Sequence, residues 1–244
     1  GRRLPAGDCS VIHDLACGTG AMGRWLAPRL PGPQHWVLHD RDAHLLEVAG
    51  SDVPGSAADG SVVAVECKQS DITRLTPEEL GGAAVITASA LLDLLTEVEL
   101  TRLVGVCSDA GCPALLTLSV VGHVVLSPAD PMDPRVGAAF DAHQRRTTAG
   151  GRLLGPDALA AAAEQFRKRG AEVLVAASPW RLGSAEAALM TEWFTAWVYA
   201  ACEQDGDLRA EIGDYPERRL AQSRAGRLAV TVDHTDLLAL PQEG

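Results

Sequence analysis

The sequence predicts an α/β fold, a doubly wound and mostly parallel sheet with helices on both faces. Three observations carry this expectation. Short apolar runs alternate with helical patterns along most of the chain. A glycine-rich turn, Asp14-Leu15-Ala16-Cys17-Gly18-Thr19-Gly20, lies between the first apolar run and the first helical pattern. An acid, Asp40, then closes the next apolar run about twenty residues later. Such a strand–turn–helix unit with a following acid is built around nucleotide-like ligands.

The elements follow in order. Residues 10–14 form a first strand, and the glycines after it let the backbone turn tightly and approach a ligand. A helix over 21–30 is stopped by Pro31-Gly32-Pro33. Strand two covers 36–39, with a helix over 42–49 behind it. The Gly/Pro/Ser/Asp-rich stretch 50–60 reads as a surface loop. Residues 62–67 make strand three, 83–88 strand four and 97–110 a helix. The continuous apolar run 114–121 is strand five, of mid-sheet type.

Over 122–151 the pattern loosens, with Pro128, Pro131 and Pro134. Gly155-Pro156 opens a helix over 157–169, which Gly170 ends. Strand six is 173–177 and the last strand 228–232. A hairpin needs only a few residues between them, so the intervening stretch is an insertion. Its helical part, 185–203, carries Trp193, Phe194 and Trp197. The simplest organisation is one domain over 1–244, with insertions at about 122–151 and 184–224, the second a helical lid.

Composition narrows the function classes. The 244 residues suffice for one large core. A net charge of −11 argues against nucleic acid as partner, which is normally met by a basic face. No apolar run reaches the ~20 residues of a bilayer span, and no signal-peptide layout is present. Six scattered cysteines without zinc spacing fit a reducing cytoplasm. Dispersed histidines give no expectation of a metal site. Lys68 and Lys168 are the two lysines, a bias of GC-rich bacterial coding.

Gly18-Thr19-Gly20-Ala21-Met22-Gly23 matches the dinucleotide pattern G-x-G-x-x-G. Asp14 argues against that cofactor, because a carboxylate beside the turn repels a pyrophosphate. It welcomes instead an ammonium group. The run Asp14–Gly20 resembles motif I of the class I S-adenosylmethionine-dependent methyltransferases, D-x-G-x-G-x-G, with Ala16 at the first glycine. Val37-Leu38-His39-Asp40-Arg41-Asp42, Gln69-Ser70-Asp71-Ile72 and Ile86-Thr87-Ala88-Ser89-Ala90-Leu91-Leu92 resemble that family's next motifs, in order.

The resemblance spans most of the chain and implies a Rossmann-like, seven-stranded sheet with an antiparallel last strand. It implies S-adenosylmethionine as cofactor, with S-adenosylhomocysteine as product. Asp14, Ala16, Gly18 and Gly20 would form the turn beside it, and Asp40, next to Arg41, would hold both ribose hydroxyls. Asp71 would accept from the adenine amino group, Ile72 would cover the ring, and Ser89 would back the methionine half. It also implies helices before strand one, so the natural chain is expected to extend beyond Gly1. Two rival readings stay open: an NAD(P)-dependent oxidoreductase using the same glycines, and a non-catalytic cofactor-binding or assembly domain. Read singly, Asp40 as a helix cap and Asp71 as a turn acid are equally ordinary roles.

The acceptor is expected to be a small molecule, methylated on oxygen, nitrogen or carbon. Strand four lacks the Asn/Asp-Pro-Pro-aromatic run of amino methylation on DNA bases or glutamine, and there is no Pro-Cys nucleophile. Phe140-Asp141-Ala142-His143-Gln144-Arg145-Arg146 is the densest cluster of chemistry. His143 is a candidate general base, with Asp141 or Gln144 to orient it, and His123 is a second. A solvated helix face is an equal reading of that cluster. Trp180, Trp193 and Trp197 are candidates for an aromatic wall, though such a stripe is more often core. Asp93 is a candidate helix cap, and His234 and Asp236 carry no assignment. Oligomeric state is not legible.

Overall fold

The structure, a computed structural model, describes residues 9–242. Its first half runs β1 (Ser10–Leu15), α1 (Ala21–Leu26), β2 (Gln34–Asp40), α2 (Ala43–Asp52), β3 (Val63–Gln69), β4 (Val85–Ser89) and α3 (Glu97–Asp109). Then come β5 (Ala114–Ser127), α4 (Asp133–Gln144), a small hairpin of β6 (Thr147–Thr148) and β7 (Gly151–Arg152), and α5 (Ala158–Lys168). The chain closes with β8 (Glu172–Ala177), β9 (Trp180–Leu182), α6 (Ala187–Gln204), α7 (Gly206–Glu211), α8 (Tyr215–Arg224) and β10 (Ala229–Leu240). No helix among the described residues is long and apolar enough to cross a membrane.

The sheet order is β3-β2-β1-β4-β5-β10-β8, with β9 added beside β10. Strands β1 to β5 are mutually parallel, whereas β10 is antiparallel to β5, β8 and β9. The expected seven-stranded path with one antiparallel strand is therefore present, and β9 is the addition. Order reverses between β1 and β4, and a crevice forms at the carboxyl ends of strands at such a point. The alternation of side chains splits the strands between two cores. Ile12, Trp36 and Leu38 pack with Met22, Leu46 and Ala49 on one face. Leu15, Ile86 and Leu116 pack under Leu103, Ala162 and Phe166 on the other.

Two strands are longer than the sequence pattern predicts. β5 continues through Gly122 to Ser127, and β10 continues past Val232 to Leu240. Their pairing shifts register between Val232 and His234 and again between Thr235 and Leu237. A shift of this kind interrupts the period-two pattern, so bulged positions read as strand ends. The stretch 122–151 thus holds the end of β5, helix α4 and most of the small hairpin. The far ends of β5 and β10, with β9, carry a third core in which Leu126, Val230 and Leu182 meet Val136, Phe194 and Trp197.

Candidate functional site

The turn after β1 is stabilised by its own neighbours. Cys17 N–H donates to the His39 carbonyl at 3.0 Å, and Gly20 N–H to the Cys17 carbonyl at 2.9 Å. Gly18 N–H donates to Asp40 Oδ2 at 2.9 Å. Those three amides are spent inside the protein, where a pyrophosphate would need them free. Gly20 has φ 78°, which strains any side-chain residue, and a Cβ there would press on Ala49 at 3.1 Å from its Cβ.

Asp14 lies under this turn, 1 % exposed. Thr87 Oγ1 donates to its Oδ1 at 2.7 Å, while Oδ2 has no hydrogen-bond partner. Burial pushes its carboxyl up to about 7 against the Thr87 bond, and the neighbouring Asp40 charge adds to the rise. Nearby, His13 Nδ1 and His39 Nε2 are 2.9 Å apart, and His39 Nδ1 is 3.0 Å from Ser70 Oγ. Burial lowers both imidazoles to about 4. Both are neutral near pH 7 and supply no counter-charge to Asp14.

Asp40 takes two backbone amides, Gly18 on Oδ2 and Asp42 on Oδ1, each at 2.9 Å. It does not cap α2; Asp42 does, through the amides of His44 and Leu45. Asp40 joins Ala16, Arg41, Asp71, Ile72 and Ala90 around a cavity of about 400 Å³. Asp71 fills the turn role as well: Thr73 N–H and Oγ1–H both donate to its Oδ1, which lowers its carboxyl. Ser89, expected beside the methionine half of the cofactor, does not border the Asp40 cavity; it opens onto a different one of about 370 Å³, with Met22, Trp25, Thr117, Leu118, Trp180 and Asp236. Consecutive residues at the end of β4 therefore face two cavities, each large enough for part of a small-molecule ligand. Asp14, Gly18 and Gly20 line neither.

Backbone strain concentrates here. Among the described residues the non-glycine positions with left-handed φ are Ala16 (51°), Ala90 (51°) and Leu118 (54°). They lie on or directly after the adjacent strands β1, β4 and β5. Each costs roughly 1–2 kcal/mol, and such strain clusters at functional sites.

The three predicted catalytic residues lie elsewhere. His143 lines a separate cavity of about 290 Å³ with Asp93, Phe140, Arg146, Trp193 and Trp197, which shares only Leu94 with the Asp40 cavity. Its Nε2 meets Glu203 Oε2 at 3.2 Å, and Arg146 Nη1 is 3.4 Å from Nδ1. Asp141 does not orient it. Residues two apart on a helix point to different faces, and Asp141 Oδ2 lies beside Gly122, its carboxyl raised by burial. His123 is 64 % exposed and 2.6 Å from Asp233 Oδ2. Asp93 caps no helix; α3 is capped by Thr96. Trp25, Ala90, Leu118 and Asp236, which had no role assigned from the sequence, line the two cavities at β4.

No family model and no curated protein sequence matches the chain. Solved structures do. The mycolic acid cyclopropane synthase CmaA1 complexed with SAH and CTAB aligns with TM-score 0.52 and 12 % identity, over 97 % of this chain and 79 % of that one. A SAM-dependent methyltransferase from Methanosarcina mazei aligns with TM-score 0.52 and 11 % identity, over 96 % and 94 %. YcgJ from Bacillus subtilis aligns with TM-score 0.50 and 12 % identity, over 97 % and 95 %. At these identities the likeness is one of fold: the chain folds as the class I S-adenosylmethionine-dependent methyltransferases do.

Proposed function

We propose that the chain is an S-adenosylmethionine-dependent methyltransferase acting on a small-molecule acceptor. The observation that carries this reading is the array of acids at the ends of β1, β2 and β3. Asp14 has an unpartnered buried oxygen and Asp40 and Asp71 border one cavity, beside a turn whose amides are already used. That array fits a phosphate-free nucleoside bearing positive charge and opposes the NAD reading. S-adenosylmethionine, when bound, supplies a sulfonium methyl group. Asp40 would accept the ribose hydroxyls and Ile72 would cover the base. Asp14 would favour the cationic end through the turn.

Catalysis of methyl transfer asks the protein to align the acceptor and exclude water. The cavity at Ser89, beside the Asp40 cavity, supports an acceptor of small-molecule size, and the charge of −11 disfavours a polyanion. Calorimetric titration with S-adenosylmethionine, S-adenosylhomocysteine and NAD tests the reading. Binding of both sulfur compounds and not NAD is expected. NAD binding without response to either sulfur compound refutes it.

A pH effect follows from Asp14. Its folded-state value is raised from 3.8 to about 7. Its contribution to stability is therefore full below the unfolded value and lost as pH rises through about 7. A cation held over the turn favours the ionised form, so binding expels a proton below that pH. S-adenosylmethionine affinity is expected to rise from about pH 5 to about pH 7 and level off beyond. Titration in buffers of different ionisation enthalpy should report up to roughly one proton released at about pH 6. Asp14→Asn removes the release; a release unchanged in that variant refutes the assignment.

A further inference from the structure

We propose that the cavity beside Ser89 binds a planar aromatic acceptor carrying a hydroxyl or amine, with Trp25 and Trp180 as its walls and Asp236 as the group that takes its proton. The proposal rests on the methyltransferase reading and gives that reading a substrate class. Three observations support it.

The first is placement. Ser89 ends β4 and faces this cavity, whereas Ala90, the next residue, faces the cavity of Asp40 and Asp71. A ligand here is one residue away from the cofactor side of the same strand.

The second is the wall. Trp25 is 55 % exposed, an isolated large aromatic surface at the cavity rim, with the Arg29 guanidinium 4.5 Å from its ring centroid. Trp180 is braced from behind by His234, ring centroids 5.0 Å apart. Two indoles in one small cavity favour a flat π-face, since aromatic pairs gain beyond the area they bury.

The third is Asp236. Its Oδ1 accepts Leu118 N–H at 2.9 Å and Ser178 Oγ–H at 2.6 Å. The Leu118 bond comes from one of the three strained residues, with φ 54°. β5, β10 and the β8–β9 link thus converge to fix one carboxylate, and among the described residues its Oδ2 makes no hydrogen bond. A carboxylate held on one oxygen and open on the other is a positioned hydrogen-bond acceptor and base. His123 and His143 are turned to Asp233 and Glu203 and do not border this cavity.

The reaction balances simply. The acceptor's oxygen or nitrogen lone pair bonds the methyl carbon, and the carbon–sulfur pair stays on sulfur. The acceptor's proton passes to Asp236 and from there to water.

Equilibrium dialysis on protein saturated with S-adenosylhomocysteine tests this, using 2-naphthol, naphthalene and cyclohexanol as probes. 2-Naphthol is expected to bind about tenfold or more tighter than either other probe, the size of one hydrogen bond to a charged group. Asp236→Asn keeps an oxygen for Leu118 and Ser178 but no charge, and should narrow the naphthol preference to about threefold or less. Its S-adenosylhomocysteine affinity should stay unchanged. Trp25→Ala, at a position 55 % exposed, should weaken 2-naphthol severalfold. Equal binding of naphthol and naphthalene, a preference that survives Asp236→Asn, or no probe binding to protein that holds S-adenosylhomocysteine overturns the proposal. Failure to hold S-adenosylhomocysteine at all overturns the methyltransferase reading beneath it.

Discussion

Asp40→Ala is expected to weaken S-adenosylhomocysteine binding by roughly 100-fold or more. Hydrogen bonds to a charged group are worth about 1.5–3 kcal/mol each, and two ribose hydroxyls give two of them. A second effect acts through the turn. The carboxylate also receives the amides of Gly18 and Asp42, so its removal leaves the Gly18–Gly20 backbone without the contact that fixes it to β2. Asp40→Asn keeps one oxygen and should fall between the two. Calorimetry gives the affinities, and hydrogen exchange at Gly18 separates loss of the ribose contact from loosening of the turn. An Asp40→Ala protein that folds and binds S-adenosylhomocysteine as the wild type does would show that the cavity serves another ligand.

Asp14 and Asp40 were legible in the sequence because each follows a short apolar run, Val11-Ile12 and Trp36-Val37-Leu38, with one histidine between. Register then puts them on neighbouring strands two positions apart: Asp14 pairs with Leu38 and Leu15 with His39, and Asp40 follows. The glycine spacing was legible for the same reason, and Ala16 at φ 51° shows why a glycine is the ordinary choice there. Asp236 was not legible. It lies within the second register shift of β10 against β5, between Thr235 and Leu237, where side-chain alternation no longer tells which face a residue takes. Its partners Leu118 and Ser178 are 118 and 58 residues away. Leu118 gives no signal at all, because nothing in a leucine announces a left-handed backbone. The cluster 140–146 showed the opposite failure. It is dense in chemistry, but α4 distributes it over several faces, and its polar groups are mostly engaged by Glu203, Asp157 and one another.

A buried ion pair joins α4 to α8, and Asp133→Ala is expected to cost about 3–5 kcal/mol. Arg219 on α8 is fully buried. Its Nη2 donates to both Asp133 carboxylate oxygens, 2.6 Å to Oδ1, and its Nη1 to the Pro128 carbonyl at 2.7 Å and Gln222 Oε1 at 2.9 Å. Tyr215 Oη–H donates to Asp133 Oδ1 at 2.7 Å. Removing Asp133 leaves a buried guanidinium whose remaining hydrogen-bond acceptors, the Pro128 carbonyl and Gln222 Oε1, are neutral, which is the costly direction. Arg219→Met should cost less, because Asp133 is 13 % exposed in its side chain and keeps the Tyr215 hydroxyl. The double variant should then recover part of the Asp133→Ala loss, a coupling that a double-mutant cycle measures directly. The losses belong to the core of Val136, Phe194, Trp197 and Tyr215, which is separate from the cores beneath Asp14 and Asp40. S-Adenosylhomocysteine affinity at temperatures where the variant stays folded should therefore be unchanged while its thermal midpoint falls. Equal loss of both would mean that α4 and α8 help to hold the turn after β1.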